Sequence, residues 1–138
     1  MHTVRFDEVQ VGAALPALAV AVTPSLIVAG AMASGDFEVV HHDVAAARAR
    51  GTPDIFMNIL TTNGYVQRFV NDWAGPGARL RSIAIRLGVP NFAGDTLRLT
   101  GVVRAARREQ GLGVVEVAVT GRNGLGEHVA ATVQLVLP

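Results

Sequence analysis

The spacing of apolar residues changes once along the chain, and this change restricts the possible folds more than any other feature. Over residues 55–73, apolar side chains such as Val66, Phe69 and Trp73 return to one side at helical spacing, which predicts the longest helix. From Leu80 onward, apolar residues alternate with polar or small ones, which is the spacing of β-strands. The chain therefore combines one long helix with a sheet that follows it.

The alternation predicts four strands after the long helix. They are residues 80–89, 97–103, 115–119 and 129–137. Residues 91–95 and 110–113 are predicted turns between the first three of these strands, and Arg-Asn-Gly-Leu-Gly at 122–126 predicts a hairpin between the last two. We expect the four strands to form an antiparallel meander.

The first half of the chain predicts one strand and two short helices. Residues 15–22 are a short apolar segment, which we interpret as a strand. Thr23 is suited to cap a helix that begins at Pro24, and Gly35 suits its left-handed exit, so residues 24–34 are predicted to be helical. A second short helix is expected at residues 44–50, with loop over the rest of 36–54.

The long helix and the strands together predict one compact domain. A helix with apolar positions over much of its circumference needs covering on several sides, and a curved sheet wrapped around it provides this. A length of 138 residues, half of them hydrophobic, suits a single domain. We predict a hotdog-like α+β domain over residues 1–138, with an antiparallel sheet wrapped around the central helix. Gly64, in the middle of that helix, predicts close packing against another backbone.

The composition excludes several classes of protein. The absence of Cys excludes disulfides and thiolate chemistry, and the absence of Lys excludes Schiff-base catalysis. A net charge of +1, with arginines spread along the chain, argues against nucleic-acid binding. The uncharged stretch 9–35 is interrupted by Gly12, Pro16 and Pro24, and no basic leader precedes it. We therefore expect a cytoplasmic protein that does not span a membrane.

Ionisable residues are densest at positions 34–43, between the two short helices. An Asp and a His five positions apart on a loop, here Asp36 and His41, can converge on one water molecule. The carboxylate would act as the base and the imidazole as its proton partner. The alternative is that Asp36 and Asp43 cap helices and that the histidines are solvated.

The same segment resembles a known family. Ser-Gly-Asp-Phe at 34–37, followed by His-His-Asp at 41–43, resembles the signature of the MaoC-like enoyl-CoA hydratases, and residues 90–97 are similar to the family's second landmark. The resemblance covers nearly the whole chain. It implies that Asp36 and His41 form a catalytic dyad that hydrates an α,β-unsaturated acyl-CoA thioester. It further implies no metal and no cofactor, because coenzyme A is part of the substrate.

A more specific resemblance concerns the central helix and the strand after it. Residues 54–61, 66–68, 72–76 and 86–90 are similar to the small subunit of the two-subunit MaoC-type hydratases of bacterial steroid side-chain degradation. This implies a catalytic subunit that acts on a bulky steroid-derived acyl group. It also implies a larger partner subunit with MaoC-like and DUF35 domains, in a heterodimer or heterotetramer. A homodimer is the alternative.

The chain departs from the family at one position of the site. Typical single-subunit members have Gly at the start of the central helix, where a backbone N–H holds the thioester carbonyl, and this chain has Asn58 there. The resemblance therefore assigns Asn58 to substrate binding through its backbone N–H. That group survives the change from Gly, while the Asn side chain reshapes the site.

Three other functions compete with hydration. A metal site at residues 41–43 is disfavoured, because adjacent side chains on an extended loop diverge. Hotdog thioesterases commonly use a carboxylate on the central helix, but no Asp or Glu lies between Ile55 and Asn71. A non-catalytic scaffold or partner subunit is the third alternative, and the presence of both Asp36 and His41 argues against it.

Overall fold

The computed structural model describes residues 2–138 and has the predicted α+β architecture. The helices are α1 (Pro24–Ala33), α2 (Val44–Ala49) and α3 (Ile59–Ala74), with short 3-10 turns at Phe6–Glu8 and Val39–His41. The strands are β1 (Ala14–Ala21), β2 (Arg79–Leu87), β3 (Thr96–Glu109), β4 (Leu112–Asn123) and β5 (Gly126–Leu137). The predicted first strand, both short helices and the hairpin between the last two strands are confirmed.

One five-stranded antiparallel sheet packs against α3. The strand order is β1-β3-β4-β5-β2, and every pairing is antiparallel. Val66, Phe69 and Val70 of α3 are buried in the core formed with the inward-facing strand residues. A Cβ at Gly101 of β3 would lie 2.7 Å from the ring of Phe69. The absence of a side chain at Gly101 therefore lets the sheet approach the central helix closely.

The predicted four-stranded meander is wrong in one connection. Strand β2 pairs with β5, as in the Ile83–Val133 pair, and lies at the far side of the sheet from β3. Residues 88–95 are therefore a crossover between distant strands and not a turn. Alternating hydrophobicity specifies which face of a strand is buried, but it does not specify the neighbouring strand.

The central helix begins four residues later than predicted, at Ile59 instead of residue 55. The side chain of Asn58 caps the helix by accepting a hydrogen bond from the Thr61 N–H. Residues 55–57 are held outside the helix, because the Met57 N–H donates to the carbonyl oxygen of the buried Asn91. Ile59, an apolar residue within the predicted helix 55–73, is the first residue of the observed helix and is 49% exposed.

The predicted close packing at Gly64 is also wrong. A Cβ at Gly64 would meet no atom within 4 Å, and the residue is exposed. The close approach occurs at Gly30 of α1, where a Cβ would collide with the Thr61 side chain of α3. A helical glycine is therefore required at position 30, and position 64 is open.

The β2 end of the sheet is a free edge. Leu80 and Leu87 of this strand are 39% and 38% exposed. Because β2 is last in the strand order, its outer backbone groups face away from the sheet.

None of the helices within residues 2–138 combines the length and hydropathy needed to cross a bilayer.

Candidate active site

Asp36 is presented by the C-terminal exit of α1. Gly35 adopts a left-handed conformation, with φ of 70°, directly after the helix ends. The Asp36 N–H then donates to the Ala31 carbonyl oxygen at 2.9 Å, which fixes the backbone of the turn. Asp36 Oδ1 accepts a hydrogen bond from the Glu38 N–H at 3.2 Å, and its side chain is 24% exposed. The carboxylate is therefore held in place and still accessible.

His41 lies at the end of the 3-10 turn Val39–His41, and its ring faces the Asp36 carboxylate. Its Nδ1 is 2.7 Å from the Phe56 carbonyl oxygen, and its ring packs edge-on against the Phe56 ring with centroids 4.9 Å apart. A carbonyl oxygen can only accept, so Nδ1 carries the proton of this hydrogen bond. The other nitrogen, Nε2, lies 3.4 Å from Asp36 Oδ2. The structure thus brings together the two residues of the predicted dyad.

The side chain of Asn58 connects Asp36 to the start of the central helix. Its Nδ2 donates to Asp36 Oδ2 at 3.0 Å and to Ser34 Oγ at 2.9 Å, while its Oδ1 accepts from the Thr61 N–H at 2.9 Å. The sequence assigned only the backbone of Asn58 to the site. An Asn directly before a helix predicts an N-cap. The hydrogen bond from its side chain to Asp36, 22 positions earlier, cannot be predicted from the local sequence.

These contacts lower the pKa of Asp36 below its ordinary value. The hydrogen bond from Asn58 is the largest cause, followed by the backbone N–H of Glu38; partial burial opposes them, and the charge of His41 adds a smaller lowering. Asp36 is therefore ionised near neutral pH, which is the form that a base requires.

The neighbouring His42 and Asp43 do not join the dyad. His42 is exposed, and Asp43 caps α2 by accepting from the Ala46 N–H at 3.0 Å. The alternative of a helix-capping role is thus correct for Asp43 and not for Asp36. Within residues 2–138, no three His, Asp or Glu side chains are grouped so that they could hold a metal ion.

A buried histidine supports the first turn of α3 and was missed by the sequence analysis. His128 Nδ1 is 2.7 Å from the Val89 carbonyl oxygen, and Nε2 is 2.8 Å from Thr62 Oγ1. By the same reasoning as for His41, Nδ1 donates and Nε2 accepts from the Thr62 hydroxyl. Burial lowers the pKa of His128, so the ring is neutral near pH 7. Thr62 in turn donates its N–H to the Asn58 carbonyl oxygen at 3.2 Å.

The arrangement suits the activation of one water molecule. When His41 is neutral, its Nε2 and the Asp36 carboxylate are both acceptors, so a water between them can donate one hydrogen to each. The water oxygen then directs a lone pair away from the two residues. Phe37, which follows Asp36 in the chain, and Ile59 and Leu60, which follow Asn58, are exposed apolar residues.

Comparison with known proteins places this geometry in a family. Residues 8–123 match the family model described as MaoC like domain. The chain is 52% identical, over 125 residues, to the 3-oxo-4,17-pregnadiene-20-carboxyl-CoA hydratase beta subunit of Mycobacterium tuberculosis. That match covers 91% of this chain and 94% of the relative.

Solved structures show the same fold. A chain of the ChsH1-ChsH2 complex from Mycobacterium tuberculosis superposes with a TM-score of 0.89 at 50% identity, covering 94% of this chain and 98% of that one. The R-hydratase PhaJ1 of Pseudomonas aeruginosa superposes with a TM-score of 0.88 over 99% of this chain and 86% of that one, and at 20% identity it supports the fold alone. The chain therefore belongs to the MaoC-like domain family of hydratases and has the predicted hotdog fold.

Proposed function

We propose that this chain is the catalytic subunit of a heteromeric enoyl-CoA hydratase that acts on a bulky, steroid-type acyl thioester. The observation that carries the proposal is the 3.4 Å approach of His41 Nε2 to Asp36 Oδ2, with Asn58 hydrogen-bonded to the same carboxylate oxygen. The steroid-type acyl group is proposed from the relative's name, a 3-oxo-4,17-pregnadiene-20-carboxyl-CoA hydratase.

In the proposed reaction, Asp36 accepts a proton from water while the water oxygen bonds to the β-carbon of the substrate. His41 Nε2 accepts a hydrogen bond from the second O–H of the water and orients it, and this hydrogen stays on the product hydroxyl. The π electrons of the double bond move toward the α-carbon and the thioester oxygen, which forms an enolate. The α-carbon then receives a proton through the Asp36–His41 pair, so the product gains one water in total and both side chains return to their starting state.

The enolate oxygen requires stabilisation, and the first turn of α3 can supply it. The first N–H groups of a helix have no partner within the helix, and the helix dipole places partial positive charge there. In this chain the turn begins at Asn58, next to Asp36. We assign the thioester oxygen to the backbone N–H of Asn58 and the N–H groups that directly follow it, which would act as preorganised donors, since the Thr61 N–H is already bonded to the Asn58 side chain.

We expect the partner subunit to add its own sheet beside β2. That strand is the exposed end of the sheet and carries the half-exposed Leu80 and Leu87. The relative is named a beta subunit, and the matching solved chain belongs to a two-protein complex. A larger MaoC/DUF35 subunit in a heterodimer or heterotetramer fits these observations, with a homodimer as the competing assembly.

The proposed chemistry uses no metal and no cofactor besides the coenzyme A of the substrate. Proton transfer is assigned to Asp36 and His41, and charge stabilisation to backbone N–H groups. The side chains and backbone of this chain then supply both the proton transfer and the charge stabilisation of the proposed reaction.

Co-expression with a MaoC/DUF35 partner tests the proposal. The purified complex is given enoyl-CoA thioesters of small, long and steroid-type acyl groups, and the product is identified by mass as the substrate plus one water. The complex with Asp36→Asn is the control. Release of free coenzyme A would indicate a thioesterase, and an Asp36→Asn complex as active as the wild type would make this chain a scaffold.

A further inference from the structure

His128 is a buried ionisable residue that takes no part in the proposed proton transfers. It lies near the start of β5 and is 2% exposed. Both of its ring nitrogens are engaged, Nδ1 with the Val89 carbonyl oxygen at 2.7 Å and Nε2 with Thr62 Oγ1 at 2.8 Å. An imidazole held at both nitrogens has one position and one orientation. His128 therefore connects the sheet to the first turn of α3 through a fixed group.

The backbone around His128 holds the ring on the side of the sheet. The Gly88 N–H donates to the His128 carbonyl oxygen at 2.8 Å, and the Val89 N–H donates to the Glu127 carbonyl oxygen at 2.9 Å. A Cβ at Gly88 would collide with the Glu127 carbonyl oxygen, so a glycine is required for this close approach. The segment that accepts from Nδ1 is thus hydrogen-bonded to the strand that carries His128.

On the side of the helix, Thr62 bridges the imidazole and the Asn58 carbonyl group. The Thr62 N–H donates to the Asn58 carbonyl oxygen at 3.2 Å, which is the hydrogen bond with which α3 begins. Thr62 Oγ1 lies 3.4 Å from the same carbonyl oxygen and 2.8 Å from His128 Nε2. A hydroxyl has a single hydrogen, and the shorter distance assigns it to His128. The position of His128 therefore determines where Thr62 holds the Asn58 carbonyl.

The Asn58 carbonyl and the Ile59 N–H belong to one planar peptide group. In a trans peptide the C=O and the N–H point in opposite directions, so fixing one fixes the other. The carbonyl points along the helix to Thr62, and the Ile59 N–H consequently points out of the N-terminal end of α3. This N–H is one of the groups to which we assign the thioester oxygen.

The direction of that N–H affects the rate more than the affinity. An oxyanion donor acts from about 2.7–3.1 Å, and removing one costs about 10²–10³ in kcat. A donor that is turned away loses part of this effect. The thioester oxygen carries less negative charge in the bound substrate than in the transition state, so substrate binding depends on the donor much less.

We propose that His128 and Thr62 are positioning residues of the reaction, which hold the Asn58–Ile59 peptide group so that the Ile59 N–H points at the thioester oxygen. In this role neither side chain touches the substrate. His128 holds the Thr62 hydroxyl, Thr62 holds the Asn58 carbonyl, and the peptide plane passes the orientation to the N–H. This inference rests on the proposed hydratase function and adds to it the residues behind the first turn of α3.

The first test compares substitutions at two positions of α3. Thr62→Val removes the hydroxyl and keeps the shape of the side chain, whereas Thr62→Ser keeps the hydroxyl. Val70→Ala is the matched control, because it removes volume from a fully buried position about two turns further along the helix. Each variant is purified in complex with the partner. The urea midpoint, kcat and KM are then measured, the last two with an enoyl-CoA that the wild-type complex hydrates.

We expect Thr62→Val to lower kcat by about 10-fold or more with KM within about 3-fold of wild type, and Thr62→Ser to regain most of the loss. Val70→Ala should lower the urea midpoint and keep kcat, per folded complex, within about 3-fold of wild type. An unchanged kcat in Thr62→Val, a loss carried by KM, or an equal loss of kcat in Val70→Ala would overturn the positioning role. A wild-type complex that hydrates no enoyl-CoA would instead overturn the proposed function.

The second test measures the donor through the thioester carbonyl and requires no turnover. The ligand is the saturated analogue of the same acyl-CoA, which has no double bond to hydrate, with an isotope label on the thioester carbonyl carbon. A donor that points at a carbonyl oxygen polarises the C=O bond and lowers its stretching frequency. Infrared difference spectroscopy of the bound complex measures this shift.

The wild-type complex should shift the carbonyl band to lower frequency. We expect a smaller shift with His128→Leu and with Thr62→Val, and the wild-type shift with Val70→Ala. His128→Gln should retain most of the shift, because its amide oxygen can accept from the Thr62 hydroxyl. A wild-type shift in both Thr62→Val and His128→Leu would show that the two side chains do not orient the donor, whatever their effect on stability.

Discussion

Asn58 Nδ2 lies 3.0 Å from Asp36 Oδ2, and the same side chain caps the central helix through its Oδ1. One amide thus fixes the position of the helix N-terminus relative to the carboxylate. In the proposed reaction these two elements act at opposite ends of one conjugated system. The helix N-terminus acts on the thioester oxygen, and the carboxylate activates the water that attacks the β-carbon. Their separation is therefore set by a single side chain instead of by two independent loops.

Removing either member of the dyad should abolish most of the activity. Asp36→Asn and His41→Gln each keep the shape of the side chain approximately and remove its proton-transfer function. We expect hydration by the complex to fall by at least about 10²-fold, the lower end of what a positioned acid or base contributes. Circular dichroism and complex formation check the fold. Near-normal turnover in either folded variant would rule out the dyad.

The acidity of Asp36 should depend on Asn58. Asn58→Ser keeps a capping side chain but lacks the amide that donates to Asp36, so the largest cause of the lowered pKa is removed. The pKa of Asp36 then rises, and the acidic limb of the pH profile of kcat/KM should move to higher pH. Asn58→Ala should move the limb in the same way and also lose about 1 kcal/mol of stability with the cap. An unmoved limb in Asn58→Ser would contradict this assignment.

The free energy of unfolding should decrease as the pH falls below the pKa of a free histidine. The pKa of His128 is lowered by burial from an ordinary value of 6.5, so the unfolded chain binds the proton more readily than the folded one. The stabilisation is complete above pH 6.5 and is lost as the pH decreases from there toward the folded-state pKa. Urea unfolding of the wild type between pH 7.5 and about pH 5 measures the slope. His128→Gln should reduce that slope in the same window.

The hydrogen bond between Thr62 and His128 should contribute to stability in its own right. Thr62→Val keeps the shape of the side chain but removes the hydroxyl, leaving the buried Nε2 of His128 without its donor. An unpaired buried acceptor costs about 1–3 kcal/mol, which should be seen as a lower urea midpoint at pH 7.5. Thr132→Val, at an exposed position of β5, is the matched control and should change the midpoint little. Equal midpoints for Thr62→Val and the wild type would show that this contact is energetically neutral.

Hydration should survive exhaustive chelation. The proposed steps use two side chains and backbone N–H groups of this chain, and none of them needs a metal ion. Activity is measured after prolonged treatment with a chelator and again after adding zinc or iron. A loss that the added metal restores would contradict the proposed chemistry. A complex of the hydratase domains without the DUF35 domain separates this result from a metal held only by the partner.

The sequence predicts the elements of this fold better than their arrangement. Alternating hydrophobicity correctly located β2 and β5, but their pairing brings Ile83 next to Val133, fifty positions later, and no local signal records it. Similarly, the motif around Asp36 and His41 indicated the candidate dyad, since both residues lie on one short loop. The support from Asn58 and from the Thr62–His128 contact depends on tertiary packing and was not predicted.

The strand order has a consequence for how the chain folds during synthesis. Strands β3, β4 and β5 are consecutive hairpins at the centre of the sheet, whereas β1 and β2, made earlier, form its two edges. The amphipathic α3 therefore leaves the ribosome before the surface that buries it exists, and the N-terminal half has no complete core of its own. Local hairpins close with a small entropy loss, so the C-terminal half provides the template onto which the earlier half docks. Productive folding then waits for the last strand to emerge, and until that moment the apolar face of α3 is available to chaperones.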